Sequence, residues 1–125
     1  MTVVIVDDSR IMRNIVKSTL DSYPEFAGSE YLEASNGADA FEIINSKKVD
    51  LLLLDWNMPQ LNGLELTKKL RADKRFSSLP IIMVTSEAAK YNVIEAVKEG
   101  VDDYIVKPVK EDELLKKVKR VLEAK

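Results

Sequence analysis

Two residue types are missing from this chain of 125 residues, and their absence removes several kinds of chemistry. The sequence contains no cysteine, which excludes disulfide bonds, thiolate nucleophiles and cysteine-ligated metals. It contains no histidine, which excludes the commonest general base, the usual zinc ligand and a phosphohistidine on this chain. Any metal site must therefore be built from oxygen ligands.

Long hydrophobic segments and a strong net charge are also missing. The longest apolar runs, at residues 3–6 and at residues 49–54 with Asp50 inside the second, are far shorter than a membrane span, and no basic segment of a signal peptide precedes the first. The formal net charge of −2 gives no general reason to bind nucleic acid or an anionic membrane. We expect a cytoplasmic protein that binds no nucleic acid and does not insert into a membrane.

Short β-rich runs alternate five times with longer amphipathic segments. Three of the runs are continuously apolar, which is typical of a parallel sheet covered by helices on both faces. We expect Ser9 to cap the first helix and Gly100 to end the fourth. The sequence predicts one doubly wound α/β domain over residues 1–125, with five helices and no effector domain. The predicted strands span residues 3–6, 31–34, 51–54, 81–84 and 104–106.

Two adjacent carboxylates, Asp7 and Asp8, directly follow the first strand. Like charges at the end of a buried segment raise each other's energy unless a positive group is held between them. Asp55 follows the third strand, and ligands bind at the carboxyl ends of the strands of an open parallel sheet. Because all-oxygen sites suit hard divalent ions, we predict that these three residues bind Mg²⁺.

Thr85 and Lys107 follow the fourth and fifth strands and are predicted to reach the same edge. A carboxylate can act as a nucleophile toward phosphorus, so Asp55 is a candidate phosphoryl acceptor. Lys107 would then bind the phosphoryl oxygens by charge and Thr85 by a hydrogen bond. Structural alternatives stay open, because an Asp after a strand is usually a turn or capping residue and Thr85 is also placed to cap the fourth helix.

Four motifs together, VVIVDDSR, LLLLDWNMPQLNG, IIMVTSE and YIVKP, resemble the bacterial two-component response-regulator receiver domain. Within that family, the motifs resemble in particular those of the stand-alone chemotaxis regulators of the CheY type. The resemblance covers essentially the whole chain and implies a flavodoxin-like sheet in the order 2-1-3-4-5. It implies that Asp55 accepts a phosphoryl group from a histidine kinase of the CheA type. It also implies that Mg²⁺ binds Asp7, Asp8, Asp55 and the backbone carbonyl of Asn57.

The resemblance further implies a switch. Thr85 would move to bond the phosphoryl group that Lys107 contacts, and Tyr104 would turn inward when Thr85 moves. A cis peptide bond is expected at Lys107–Pro108. Tyr104 also has a simpler interpretation, as a half-buried aromatic residue of a strand.

The side chains of Asn57 and Glu87 would lie on either side of the place where water attacks the acyl phosphate. They would therefore influence how long phosphorylation lasts. Glu87 is equally explained as a first-turn helix residue that the helix dipole favours. By resemblance the chain catalyses only its own phosphorylation and dephosphorylation, and a phosphatase is a further expected partner.

The signal would leave through the face formed by the fourth helix, the fifth strand and the fifth helix, because phosphorylation must bias a two-state element. We expect a monomer that binds the flagellar motor switch protein or another two-component target. Val109 and Lys110 depart from the chemotaxis pattern and leave the details of the partner surface open. Simple solvation also explains two of the candidate contacts, the lysines at 90 and 117. The candidates are Lys90, Val93, Tyr104 and Lys117.

Other functions fit this architecture less well. A stand-alone receiver of a non-chemotaxis phosphorelay is the main alternative. A Mg²⁺-dependent phosphohydrolase of the haloacid dehalogenase type needs Asp-x-Asp after its nucleophilic strand, which Asp7-Asp8-Ser9 does not supply. A flavin or dinucleotide binder needs glycines or hydroxyls where Asp7 and Asp8 would repel phosphate. A receiver-like adaptor without phosphorylation is disfavoured because the five key positions are filled.

Overall fold

Strands and helices alternate in the computed structural model, which describes residues 1–56, 61–86 and 90–124, and only the backbone of residues 90–92. The strands are β1 (Thr2–Val6), β2 (Glu30–Ala34), β3 (Leu51–Asp55), β4 (Ile81–Thr85) and β5 (Asp103–Val106). The helices are α1 (Arg10–Asp21), α2 (Gly37–Ser46), α3 (Gly63–Arg71), α4 (Lys90–Lys98) and α5 (Glu111–Glu123). A short 3₁₀ helix at Lys74–Phe76 follows α3.

The five strands form one parallel sheet in the order β2-β1-β3-β4-β5. Val6 lies opposite Leu54, so the residues that follow β1 emerge beside the end of β3. The chain changes its direction of winding between these two strands, which is where ligands bind in such sheets. The predicted fold class and strand order are confirmed.

Helices cover both faces of the sheet, which explains why residues 51–54 of β3 are all apolar. Leu52 and Leu54 face a core shared with α2, α3 and α4, whereas Leu51 and Leu53 face a core shared with α1 and α5. All five residues of β3 are buried. Alternate side chains therefore enter two different cores, and neither face of the strand offers a place for an exposed polar residue.

The helix ends agree with the capping signals. The Ser9 hydroxyl accepts the Met12 N–H at 3.2 Å and caps α1, as predicted. Gly100, with φ +112°, follows α4 and donates to the Val97 carbonyl oxygen at 3.1 Å. Lys110 occupies the N-terminal cap position of α5 and makes no capping hydrogen bond with its side chain.

Two strands extend one residue beyond their predicted ends. Asp55 pairs in register with Val84, and Thr85 pairs with Val106, so each polar residue is the last of its strand. Their backbones are thereby held by the sheet. Among the described residues, no helix combines the length and apolar character needed to cross a membrane.

Candidate functional site

Asp7, Asp8 and Asp55 converge at the carboxyl edge of the sheet. Each residue offers a carboxylate oxygen, and these oxygens lie within 4.8 Å of one another. Asp7 and Asp55 are 4% and 6% exposed, whereas Asp8 is exposed to solvent. The cluster therefore has two buried members and one that reaches solvent, at the positions the sequence predicts.

The carboxylate of Asp7 is held by hydrogen bonds at both oxygens. The Ser9 backbone N–H donates to Oδ1 at 2.8 Å, and the Lys107 ammonium donates to Oδ2 at 3.0 Å. The backbone N–H of Asp7 donates to the Ala34 carbonyl oxygen at 3.1 Å. Because backbone and side chain are both anchored, the orientation of Asp7 is set before any ligand binds.

Lys107 places one positive charge against two carboxylates of the acidic cluster. Its Nζ lies 3.0 Å from Asp7 Oδ2 and 3.6 Å from Asp55 Oδ2, and its side chain is 20% exposed. The backbone N–H of Lys107 donates to the Thr85 carbonyl oxygen at 2.7 Å, which continues the pairing of β4 with β5. The Lys107–Pro108 peptide bond is cis, as expected.

Two glycines bring helices close to the backbone around Asp55. A Cβ atom on Gly63 would lie 2.4 Å from the Asp55 carbonyl oxygen and 3.0 Å from Trp56 Cα. A Cβ atom on Gly37 would lie 2.0 Å from the carbonyl oxygen of Leu61. Helices α2 and α3 thus both begin against the segment that follows Asp55, and neither approach was predicted from the sequence.

Arg13 also belongs to the site and was not predicted. Its guanidinium donates to the Asp7 carbonyl oxygen at 2.6 Å and to Glu33 Oε1 at 2.9 Å. It ties the end of β1 to β2, and its side chain is 14% exposed. The sequence gives little indication of these contacts, because one partner of Arg13 is a backbone oxygen and the other lies 20 residues away.

Some of the remaining predicted residues lie in the described part of the structure, and others lie outside it. Thr85 is fully buried at the end of β4, and Tyr104 is half-buried on β5 against the core shared with α2, α3 and α4. Val93 is half-buried on α4, and Lys117 is 18% exposed on α5. Asn57, Glu87 and the side chain of Lys90 lie outside the described residues, so their predicted roles stay predictions.

The donor set fits a hard divalent cation. All three side chains of the cluster offer oxygen, which is the ligand that Mg²⁺ prefers, and the Lys107 ammonium contacts two of the three carboxylates, those of Asp7 and Asp55. The exposed position of Asp8 leaves this side of the cluster open to water. Mg²⁺ keeps several water ligands in proteins, so an open side suits it.

Comparisons with known proteins extend over the same residues. The profile of the family described as response regulator receiver domain matches residues 3–119. The chemotaxis protein CheY homolog of Campylobacter jejuni is 46% identical over 123 residues, covering 98% of this chain and 92% of that protein. Chemotaxis protein CheY1 of Helicobacter pylori is also 46% identical, over 98% of this chain and 97% of that protein. The crystal structure of Vibrio cholerae chemotaxis protein CheY4 is similar with a TM-score of 0.85 at 32% identity, covering 96% of this chain and 97% of that one.

Proposed function

Because the chain belongs to the response regulator receiver family, we propose that it is a phosphorylation-dependent switch of chemotaxis with Asp55 as the phosphoacceptor. One observation carries the proposal: the Lys107 ammonium contacts the carboxylates of Asp7 and Asp55, and an Asp8 oxygen lies within 4.8 Å of an oxygen of each of these carboxylates. This arrangement combines a nucleophile, a cation for the phosphoryl oxygens and ligands for a divalent ion at one edge of the sheet.

The reaction transfers a phosphoryl group from a phosphohistidine of a CheA-type kinase to Asp55. An Asp55 oxygen forms the new O–P bond while the P–N bond breaks, and the electron pair of that bond stays on the imidazole. Negative charge is spread over the three remaining phosphoryl oxygens during transfer. Lys107 Nζ, 3.6 Å from Asp55 Oδ2, is placed to bind one of these oxygens.

Asp7, Asp8 and Asp55 would hold Mg²⁺, together with the backbone carbonyl of Asn57. When bound, the ion supplies positive charge that offsets the repulsion between the carboxylates and the incoming phosphoryl group. The anchoring of Asp7 by Ser9 supports this role, because a fixed ligand loses little freedom on binding.

Thr85 would donate its hydroxyl to a phosphoryl oxygen, and Tyr104 would turn inward when Thr85 moves. The chain would catalyse only its own phosphorylation and dephosphorylation, with Asn57 and Glu87 setting the lifetime of the acyl phosphate. A phosphatase partner would shorten that lifetime further.

The output surface would be the face of α4, β5 and α5, with Lys90, Val93, Tyr104 and Lys117 as contacts. The partner would be the flagellar motor switch protein, and the protein would act as a monomer in the cytoplasm. Support comes from the place of Tyr104, which is half-buried on the edge strand β5 of this face.

The test follows the fluorescence of Trp56, the single tryptophan, during addition of Mg²⁺ and then acetyl phosphate. We expect one change with Mg²⁺ and a second with acetyl phosphate, accompanied by a phosphoryl adduct in the mass spectrum. The matched control is Asp55→Asn, in which the second change and the adduct should vanish. A wild-type protein that never forms the adduct would overturn the proposal.

A second measurement separates chemotaxis from other pathways. Binding to purified flagellar motor switch protein is compared with and without acetyl phosphate. Binding that strengthens on phosphorylation supports the chemotaxis role. Phosphorylation without any such change would leave a receiver that serves another two-component target.

A further inference from the structure

The ammonium of Lys117 makes four contacts at the open edge of β5. It donates a short hydrogen bond to the Tyr104 carbonyl oxygen and lies 4.5 Å from the centroid of the Tyr104 ring. It is also 3.7 Å from Asp103 Oδ1 and 3.7 Å from Glu113 Oε1. With its side chain only 18% exposed, Lys117 is a packed residue rather than a solvated one.

The position of these contacts follows from the sheet. Among the described residues, β5 pairs only with β4, so one side of its backbone has no neighbouring strand there. The Tyr104 N–H donates to Asp103 Oδ1 at 2.8 Å, and the Tyr104 carbonyl accepts from Lys117. The Asp103 and Lys117 pair therefore satisfies both backbone polar groups of Tyr104, which otherwise only water would satisfy.

The same ammonium also restrains the aromatic ring. A cation within about 6 Å of a ring centroid is attracted to the ring face, and the attraction grows as water is excluded. Because one Nζ binds both the carbonyl and the ring of Tyr104, it fixes the ring relative to its own backbone. The ring cannot turn toward the interior without leaving the ammonium.

We propose that Lys117 is a positioning residue that holds Tyr104 at the open edge of β5 in the unphosphorylated protein. The inference rests on the proposed function, in which Tyr104 turns inward on activation. Activation must then break the contact between the ring and Lys117, while the hydrogen bond to the carbonyl can persist. Lys117 thus stabilises the inactive arrangement and opposes phosphorylation through reciprocal coupling between the two events.

The experiment compares Lys117→Met, which keeps an aliphatic stem but removes the charge, with Lys117→Arg, which keeps a cation. Lys116→Met is the matched control, because Lys116 is the neighbouring exposed lysine of α5. The first readout is the NMR position of the Tyr104 ring, assigned with Tyr104→Phe, in the unphosphorylated protein. The second is the acetyl phosphate concentration that half-saturates the Trp56 fluorescence change.

We expect Lys117→Met to release the ring and to lower the half-saturating acetyl phosphate concentration roughly two- to five-fold, the size of one cation–π contact. Lys117→Arg and Lys116→Met should behave like wild type. In a Tyr104→Leu background the Lys117→Met effect should disappear, because the ring is its cause.

Two results would overturn the inference: an unmoved Tyr104 ring in Lys117→Met, or a shift in acetyl phosphate dependence that persists in the Tyr104→Leu background. Failure of the proposed function gives a different pattern. In that case no variant, wild type included, would form a phosphoryl adduct, and the NMR measurement alone would decide whether Lys117 holds the ring.

Discussion

Gly63 lies directly against the backbone of Asp55. A Cβ atom at Gly63 would be 2.4 Å from the Asp55 carbonyl oxygen, a distance that real Cβ contacts do not reach. The Gly63 N–H also donates to the Trp56 carbonyl oxygen at 3.0 Å. The first residue of α3 therefore fixes the backbone that carries the proposed phosphoacceptor, and only glycine fits there.

Gly63→Ala should push α3 away from Asp55 and so lower both stability and the rate of phosphorylation. Overpacking of this kind costs about 1–3 kcal/mol. Urea denaturation and phosphorylation by acetyl phosphate measure the two effects. Gly28→Ala is the control, because its φ of +81° gives backbone strain but no atom lies within 4 Å of the added Cβ. Equal phosphorylation rates in the two variants would contradict the role of Gly63.

Asp55→Asn should abolish the phosphoryl adduct while the protein stays folded. The amide has the shape of the carboxylate but is a poor nucleophile, and it removes one charge from a repelling cluster. Stability in EDTA should therefore be equal to or higher than that of wild type. Mass spectrometry of peptides locates the label, with exposed Asp112→Asn as the control. Persistent labelling at another residue would move the acceptor away from Asp55.

Asp8→Ala should weaken Mg²⁺ binding about ten-fold or more with little change in the free energy of unfolding. Asp8 is exposed, so its removal leaves no buried group unpaired. Asp7→Ala should lose affinity and also about 1–3 kcal/mol of stability, because the Ser9 N–H and Lys107 each lose a partner. Trp56 fluorescence titration with MgCl₂ and urea denaturation in EDTA separate the two variants. Unchanged affinity in Asp8→Ala would remove Asp8 from the metal site.

Lys107→Met should make stability depend more strongly on Mg²⁺. Without the ammonium, the buried carboxylates of Asp7 and Asp55 lose the cation that both of them contact, which costs about 1–3 kcal/mol in EDTA. Added Mg²⁺ should recover more stability in the variant than in wild type. Phosphorylation should persist, while phosphorylation-dependent partner binding is lost. Equal stability of the two proteins in EDTA would show that the ammonium is not needed there.

Thr85→Ala should still accept a phosphoryl group but lose the activated surface, whereas Thr85→Ser, which keeps the hydroxyl, should retain it. Thr85 is fully buried, so both substitutions remove a buried methyl group. The two variants differ in the hydroxyl, which only serine keeps. Binding to the motor switch protein in the presence of acetyl phosphate distinguishes them. Normal phosphorylation-dependent binding by Thr85→Ala would refute the role of the hydroxyl in the switch.

The positions of Asp7, Asp55 and Lys107 could be predicted because each follows a strongly apolar run. In a parallel sheet, the ends of such runs share one edge, so periodicity alone brings these residues together. The pattern of apolar residues could not predict the last residue of β3, which depends on the pairing register. Asp55 is the last residue of β3 because it lies opposite Val84, although its polarity suggested that the strand ended one residue earlier.

The contacts of Arg13 and Lys117 could not be predicted, because both residues look like ordinary charged positions of amphipathic helices. Arg13 binds the backbone of Asp7, and Lys117 binds the backbone of Tyr104. A backbone oxygen leaves no trace in the amino-acid sequence that would identify it as a partner. The close approach of Gly63 to Asp55 depends in the same way on how helices settle against the sheet.

The bond between Asp7 and Lys107 spans 100 residues of the chain. During synthesis, at about 5–20 residues per second, Asp7 and Asp55 leave the ribosome several seconds before the lysine that contacts both of them. A growing chain would therefore carry the carboxylates of Asp7 and Asp55 without their ammonium until β5 arrives. Competence to signal would then appear late and all at once, as a property of the finished sheet rather than of any growing part.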